Sequence, residues 1–67
     1  MNVILYSTGC PKCMVLEKKM DQKNISYTIE TNVDVMQEKG FMSLPMLDVD
    51  GNLMDFSNAI KWVNEVN

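Results

Sequence analysis

The sequence predicts an α/β fold, a four-stranded mixed sheet with three helices in the order β-α-β-α-β-β-α, and three observations lead there. Short runs rich in β-branched and aromatic residues alternate with stretches of helical apolar spacing along the whole chain. The first strand–helix–strand passage requires a parallel crossover, whereas Asp50-Gly51 between two later runs is a hairpin signal, so the sheet must be mixed. No repeat, low-complexity tract or linker interrupts the 67 residues, and we read 1–67 as a single domain. That length is near the lower limit at which a core forms without disulfide staples or metals.

Asn2-Val3-Ile4-Leu5-Tyr6 is β-branched and aromatic and stops at Ser7-Thr8-Gly9, so it opens the fold as a buried strand followed by a loop. Pro11 suits the first turn of a helix, where its missing N–H costs nothing. Met14 to Lys23 continues that helix with strong helix formers, and Cys13, Leu16 and Met20 fall at helical spacing on its inward side. Asn24 ends it, and Ile25-Ser26-Tyr27-Thr28-Ile29 alternates as a second strand should.

Asn32 to Lys39 is a short helix with Val33 and Met36 inward and Gly40 as its stop. Leu44-Pro45-Met46-Leu47-Asp48-Val49 reads as a strand, joined through Asp50-Gly51 to an antiparallel Asn52-Leu53-Met54. Phe56, Ala59, Ile60 and Val63 then keep helical spacing to the end of the chain, with Ser57 or Asp55 as the N-cap. Trp62 is expected half-buried on that helix, and Glu17, Lys18, Lys19 and Asp21 form a solvated face of the first one.

Composition removes several function classes. Six lysines against nine acids give a net charge of -3 with no basic cluster to neutralise phosphates, so no nucleic-acid partner is expected. The longest early apolar run, Val3 to Tyr6, is far too short to span a membrane and no basic segment precedes it, so we expect neither a membrane nor an export segment, and a cytoplasmic location. The chain has no His and no Arg, which excludes imidazole acid/base chemistry, His-ligated metals and bidentate anion clamps.

What remains is Cys10-Pro11-Lys12-Cys13. An ordinary thiol is mostly protonated at neutral pH, so position must activate it. Cys10 falls at a helix N-terminus, where unpaired N–H groups and the macrodipole favour negative charge; roughly 2 kcal/mol there lowers a thiol pKa from about 8.5 to about 7. Lys12 adds a cation. Cys13, one turn on, can hydrogen-bond the thiolate and later attack a mixed disulfide, which casts Cys10 as nucleophile and Cys13 as resolver. The pair could instead be half of a zinc site or a coincidence of buried residues, but zinc needs two further ligands, and without another Cys or any His these would be carboxylates or come from a second subunit.

Strand, Tyr6-Ser7-Thr8-Gly9-Cys10-Pro11-Lys12-Cys13, helix, then Ser43-Leu44-Pro45 before a strand and Asp50-Gly51 after it resembles the glutaredoxin family over nearly the whole chain. The resemblance implies a thioredoxin-like, glutaredoxin-type fold and thiol–disulfide oxidoreductase activity on protein disulfides. It also implies that Pro45 is cis and lies beside the cysteines, and that the backbone of Leu44 pairs with extended substrate. From the residues alone Pro45 would be a strand-opening proline. Tyr6 either borders the site or packs within its strand.

The departures bear on the reductant. Family members that use glutathione carry a Gly-Gly pair after the fourth strand, where this chain has Asp55-Phe56. A side chain fills the glycine space and the Asp55 charge opposes a bound carboxylate, although Ser57 and Asn58 retain backbone donors. The missing Arg, and the lack of a Lys just before the motif, further weaken glutathione binding, with Lys12 as the available substitute. Phe56 at this place resembles the small redoxins that serve ribonucleotide reductase and take electrons from thioredoxin reductase. Phe56 also belongs to the Ala59, Ile60, Val63 stripe, so core packing is its first reading and substrate contact its second. Met42 and Met46 near Pro45 pack or line a docking surface.

We therefore expect a monomer with no bound cofactor or metal. It exchanges disulfides with protein substrates and is reduced by thioredoxin reductase or glutathione. Two other readings of the Cys pair stay open: a dimer bridged by a metal or an iron–sulfur cluster, and a redox-regulated binding module without turnover.

Overall fold

The computed structural model describes residues 2–66. Along the chain lie β1 (Val3–Tyr6), α1 (Pro11–Gln22), β2 (Thr28–Glu30), α2 (Val33–Glu38), β3 (Met46–Val49), β4 (Asn52–Met54) and α3 (Phe56–Glu65). The strands form one sheet in the order β2-β1-β3-β4. β1 runs parallel to β2 and antiparallel to β3, and β3 antiparallel to β4, which is the mixed sheet that the element order predicts.

The core forms where the two apolar periodicities meet. Val3 and Leu5 of β1 and Leu47 and Val49 of β3 present alternate positions to one face of the sheet, against Leu16 and Met20 of α1 and Ala59 and Val63 of α3. Leu5, Leu16 and Leu47 are fully buried, each worth about 1.5–3 kcal/mol relative to exposure. Tyr6 follows Leu5 and so points to the opposite face. There Phe41 meets its ring edge-on at 4.9 Å and the Lys39 ammonium lies 5.9 Å above it, so the segment leaving α2 covers that side.

Two strand boundaries and one burial differ from the sequence expectation. β2 starts at Thr28 rather than Ile25 because the preceding residues close α1: the Asn24 amide donates to the Asp21 carbonyl and the Ile25 amide to the Met20 carbonyl, with Asn24 at φ 57°. This is a Schellman closure, in which an apolar residue at the position of Ile25 packs back on the core. β3 starts at Met46 rather than Leu44, since Pro45 has no N–H to give a ladder. In α2, Met36 is buried but Val33 is half-exposed, because a helix of six residues covers only one position fully.

Elsewhere the local chemistry matches. Asp50 and Gly51 both have positive φ, 52° and 92°, as a type I′ hairpin turn requires, and the Gly51 amide donates to Asp48 Oδ1 at 2.7 Å. Asp55 rather than Ser57 caps α3, with Oδ1 accepting from the Asn58 amide at 2.9 Å. That helix closes at Glu65, and the expectation that it runs to the chain end falls, for Asn67, outside the described residues. No helix among the described residues is long and apolar enough to cross a membrane.

Candidate active site

The loop after β1 delivers Cys10 through a chain of local constraints. The Ser7 amide donates to the Glu30 carbonyl of β2 at 3.1 Å, which carries the sheet one residue further. Ser7 is buried, and its Oγ accepts from the Gly9 amide at 3.2 Å, turning the chain back on itself. Gly9 takes φ 80°, a left-handed conformation that a side chain would strain. Cys10 then returns to extended backbone and becomes the N-cap of α1, with Pro11 in the first turn.

At the cap the two cysteines are joined in a disulfide, with Cα atoms 5.0 Å apart. The Cys10 carbonyl accepts from the Met14 amide at 3.0 Å, and its Sγ accepts from the Cys13 amide at 3.2 Å. That same amide and the positive end of a 12-residue helix are placed to stabilise negative charge on the Cys10 sulfur when the bridge is opened. Burial separates the roles of the two sulfurs. Cys13 is fully buried with the α1 stripe, whereas Cys10 is partly exposed and is the one an external disulfide can meet.

Strand pairing brings the remaining expected residues to the same end of the sheet. Tyr6 pairs with Met46, so the loop carrying Cys10 and the Leu44-Pro45 segment leave neighbouring strands side by side. The Leu44-Pro45 peptide is cis, and Pro45 is buried. Met54 pairs with Leu47, which places Asp55 and Phe56 at this end too. The Lys12 ammonium lies 5.5 Å from the Phe56 ring centroid, across the gap between α1 and α3. Phe56 is half-buried, packing on the core with the rest of its ring while it carries Lys12. Ser57 is exposed, and the buried Tyr6 ring packs against Phe41 rather than opening to solvent.

Thr8 of the cysteine loop also lines an open groove of about 360 Å³, walled with it by Val33, Met36, Phe41, Met42 and Leu44. Met42 is 99% exposed on its rim, an adaptable thioether in contact with water rather than core. Sequence reasoning did not find Ser7, Phe41 or this groove. Ser-Thr-Gly after a strand is a turn signal that would have flagged Ser7, but nothing local in the sequence links Phe41 to Tyr6. Among the described residues no three or more cysteines and carboxylates converge as a metal site.

No curated protein and no solved structure matches the chain. Residues 1–56, from the first strand through the cysteine motif, Pro45 and the hairpin to the start of α3, match the family model described as Thioredoxin domain. Sheet order, helix placement and the Cys10–Cys13 pair at disulfide distance agree with that match and indicate redox chemistry. With a thioredoxin-like α/β fold and a family match over most of its length, the chain belongs to the thioredoxin domain family.

Proposed function

We propose that this chain is a small glutaredoxin-like dithiol oxidoreductase that reduces protein disulfides in the cytoplasm and draws its electrons from thioredoxin reductase in preference to glutathione. The observation that carries the reading is the N-cap: a partly exposed Cys10 Sγ, held by the Cys13 amide at 3.2 Å and linked to a buried Cys13. Cys10 thiolate attacks a substrate disulfide, forming a mixed disulfide and expelling one substrate thiolate, which takes a proton from water. Cys13 then loses its proton and attacks the Cys10 sulfur, freeing the second substrate thiol and closing the Cys10–Cys13 bridge. A reductase dithiol reopens the bridge with two electrons. Pro11 keeps the first turn free of an unused donor, and Lys12 supplies the cation of the motif.

The reductant follows from the start of α3. Asp55 turns its carboxylate onto the Asn58 amide and Phe56 fills the adjoining space, so an incoming carboxylate meets both a like charge and an occupied donor. Leu44 and Pro45 supply the backbone edge for an extended polypeptide, and a disulfide-bearing enzyme such as ribonucleotide reductase is a substrate of the right kind. Turnover measured separately with NADPH plus thioredoxin reductase and with glutathione plus its reductase tests the reading. A Cys10→Ser variant should lose activity in both assays, and Cys13→Ser should accumulate mixed disulfides. Full activity in Cys10→Ser would end the oxidoreductase reading, and faster turnover with glutathione would reverse the choice of reductant.

A further inference from the structure

The contact between Lys12 and Phe56 joins the helix that bears both cysteines to the first residue of α3, and it is seen with the cysteines oxidised. In that state the sulfurs carry no charge, so nothing on the motif holds the ammonium. The nearest carboxylate along α3, Asp55, faces the Asn58 amide, and Lys12 rests on the ring of Phe56 instead. Reduction changes the charge beside it. A dithiol reductant gives two electrons to the S–S bond and closes its own disulfide; of its two protons one ends on Cys13 as a thiol and the other goes to solvent, so that Cys10 remains a thiolate. A full negative charge then stands at the N-cap, two residues from Lys12.

We propose that Phe56 is a positioning residue that holds the Lys12 ammonium away from Cys10 in the disulfide form and yields it to the thiolate in the dithiol form. The proposal rests on the oxidoreductase reading and adds a redox-linked competition within it. An exposed cation–π contact is weak enough to be displaced by an ion pair, yet strong enough to bias the equilibrium about two- to fivefold. By linkage, every increment by which Phe56 favours the parked lysine favours the disulfide.

Three of the other charged groups at this end of the fold, Glu30, Lys39 and Asp55, have their own engagements. Glu30 Oε1 at the end of β2 accepts from the Asn32 amide at 3.0 Å, and Lys39 lies over Tyr6. Asp34 stands in the first turn of α2 and Asp55 caps α3. A double-mutant cycle subtracts whatever each single substitution does to these groups and so isolates the pair.

The cycle uses Phe56→Leu, which keeps apolar bulk, and Lys12→Met, which keeps the stem, with Phe56→Tyr as the variant that retains a ring. Reduction potential is read against a dithiothreitol buffer, and acidity of Cys10 from thiolate absorbance of the same variants carrying Cys13→Ser. Phe56→Leu should make Cys10 more acidic and shift the thiol–disulfide equilibrium about two- to fivefold toward the dithiol, while Lys12→Met moves both the other way. Phe56→Tyr should keep both values, and Phe56→Leu should have no effect once Lys12 is Met. An equal Phe56→Leu shift with and without Lys12, or no shift with Lys12 present, overturns the proposal. Neither readout needs a protein substrate, so failure to reduce protein disulfides would remove the oxidoreductase reading and leave this cycle decisive.

Discussion

Replacing Asp55 with glycine should raise the use of glutathione at almost no cost in stability. In the native chain the Asp55 carboxylate accepts from the Asn58 amide at 2.9 Å, so the α3 donor on which a ligand carboxylate would settle is already taken by the protein itself. Asp55→Gly frees that amide, and a hydrogen bond from it to a charged ligand is worth about 1.5–3 kcal/mol. It also removes a like charge, worth about 1 kcal/mol at 4 Å in water. Because Asp55 is exposed and both gains are shared with solvent, we discount their sum of about 2.5–4 kcal/mol to about 1.4 kcal/mol, which is a tenfold change in affinity. Glycine is tolerated as an N-cap at a loss of only a few tenths of a kcal/mol, so the melting curve should scarcely move. The assay is the initial rate with glutathione, glutathione reductase and NADPH, with kcat/KM for glutathione rising about tenfold and the gain shrinking at high salt as the Coulomb part is screened. Asp55→Ser keeps the cap but not the charge and should show a smaller gain. An unchanged KM for glutathione in a folded Asp55→Gly variant would refute the reasoning that Asp55 blocks this end of α3.

Leu16→Ala removes a fully buried side chain between α1 and the sheet and should cost about 2.7–5 kcal/mol, a large share of the roughly 3–10 kcal/mol expected for a chain this size, read as a lower urea midpoint by circular dichroism. Gly51→Ala places a side chain at φ 92° in the hairpin turn and should cost about 1–2 kcal/mol in the same assay; an unchanged midpoint would show that the turn relaxes. Tyr27 is pushed up to about 12 by burial, then by its hydrogen bond to Asp21, and then by the charges of Asp21 and Glu17. The folded state therefore favours the neutral phenol. Its contribution is fully present below pH 10, the unfolded value, and fades as pH rises toward about 12. Melts at pH 9 and pH 11.5 should show a smaller alkaline loss in Tyr27→Phe than in the native chain, and equal losses would contradict the assignment.

Features set by residues close in sequence were legible, and those set by distant pairs were not. Cys13, Leu16 and Met20 could be placed on one inward stripe because helical spacing alone dictates it, and all three are fully buried. Asp50-Gly51 specified its turn because few residues accept two successive positive φ values. Ile25 misled for an identifiable reason: an apolar residue just after a helix serves equally as the first position of a strand or as the apolar contact of a Schellman closure, and only the Met20 carbonyl decides. Likewise Val33 has the spacing of an inward residue, but how much of a short helix is covered is a tertiary matter. The pairings Tyr6 with Phe41 and Lys12 with Phe56 carry no local signal at all.

Those distant pairs make the surroundings of Cys10 asymmetric, and the asymmetry bears on what can approach it. Toward α3 the way is obstructed: Lys12 bridges to Phe56, and Asp55 both occupies the helix donor and repels a carboxylate. Toward α2 it is open, where Thr8 of the cysteine loop and Leu44 before Pro45 line a groove together with Val33, Met36 and the fully exposed Met42. On the proposed reading, a tripeptide thiol whose terminal carboxylate sought the start of α3 would lose its anchor on the obstructed side. A polypeptide has apolar side chains to place in the open groove and a backbone to set against Leu44, so the loss matters less to it. On the proposed reading, the residues that would deter glutathione at the start of α3 lie apart from the Leu44 edge that would receive a protein disulfide, so the motif's chemistry and its choice of reductant can be altered separately.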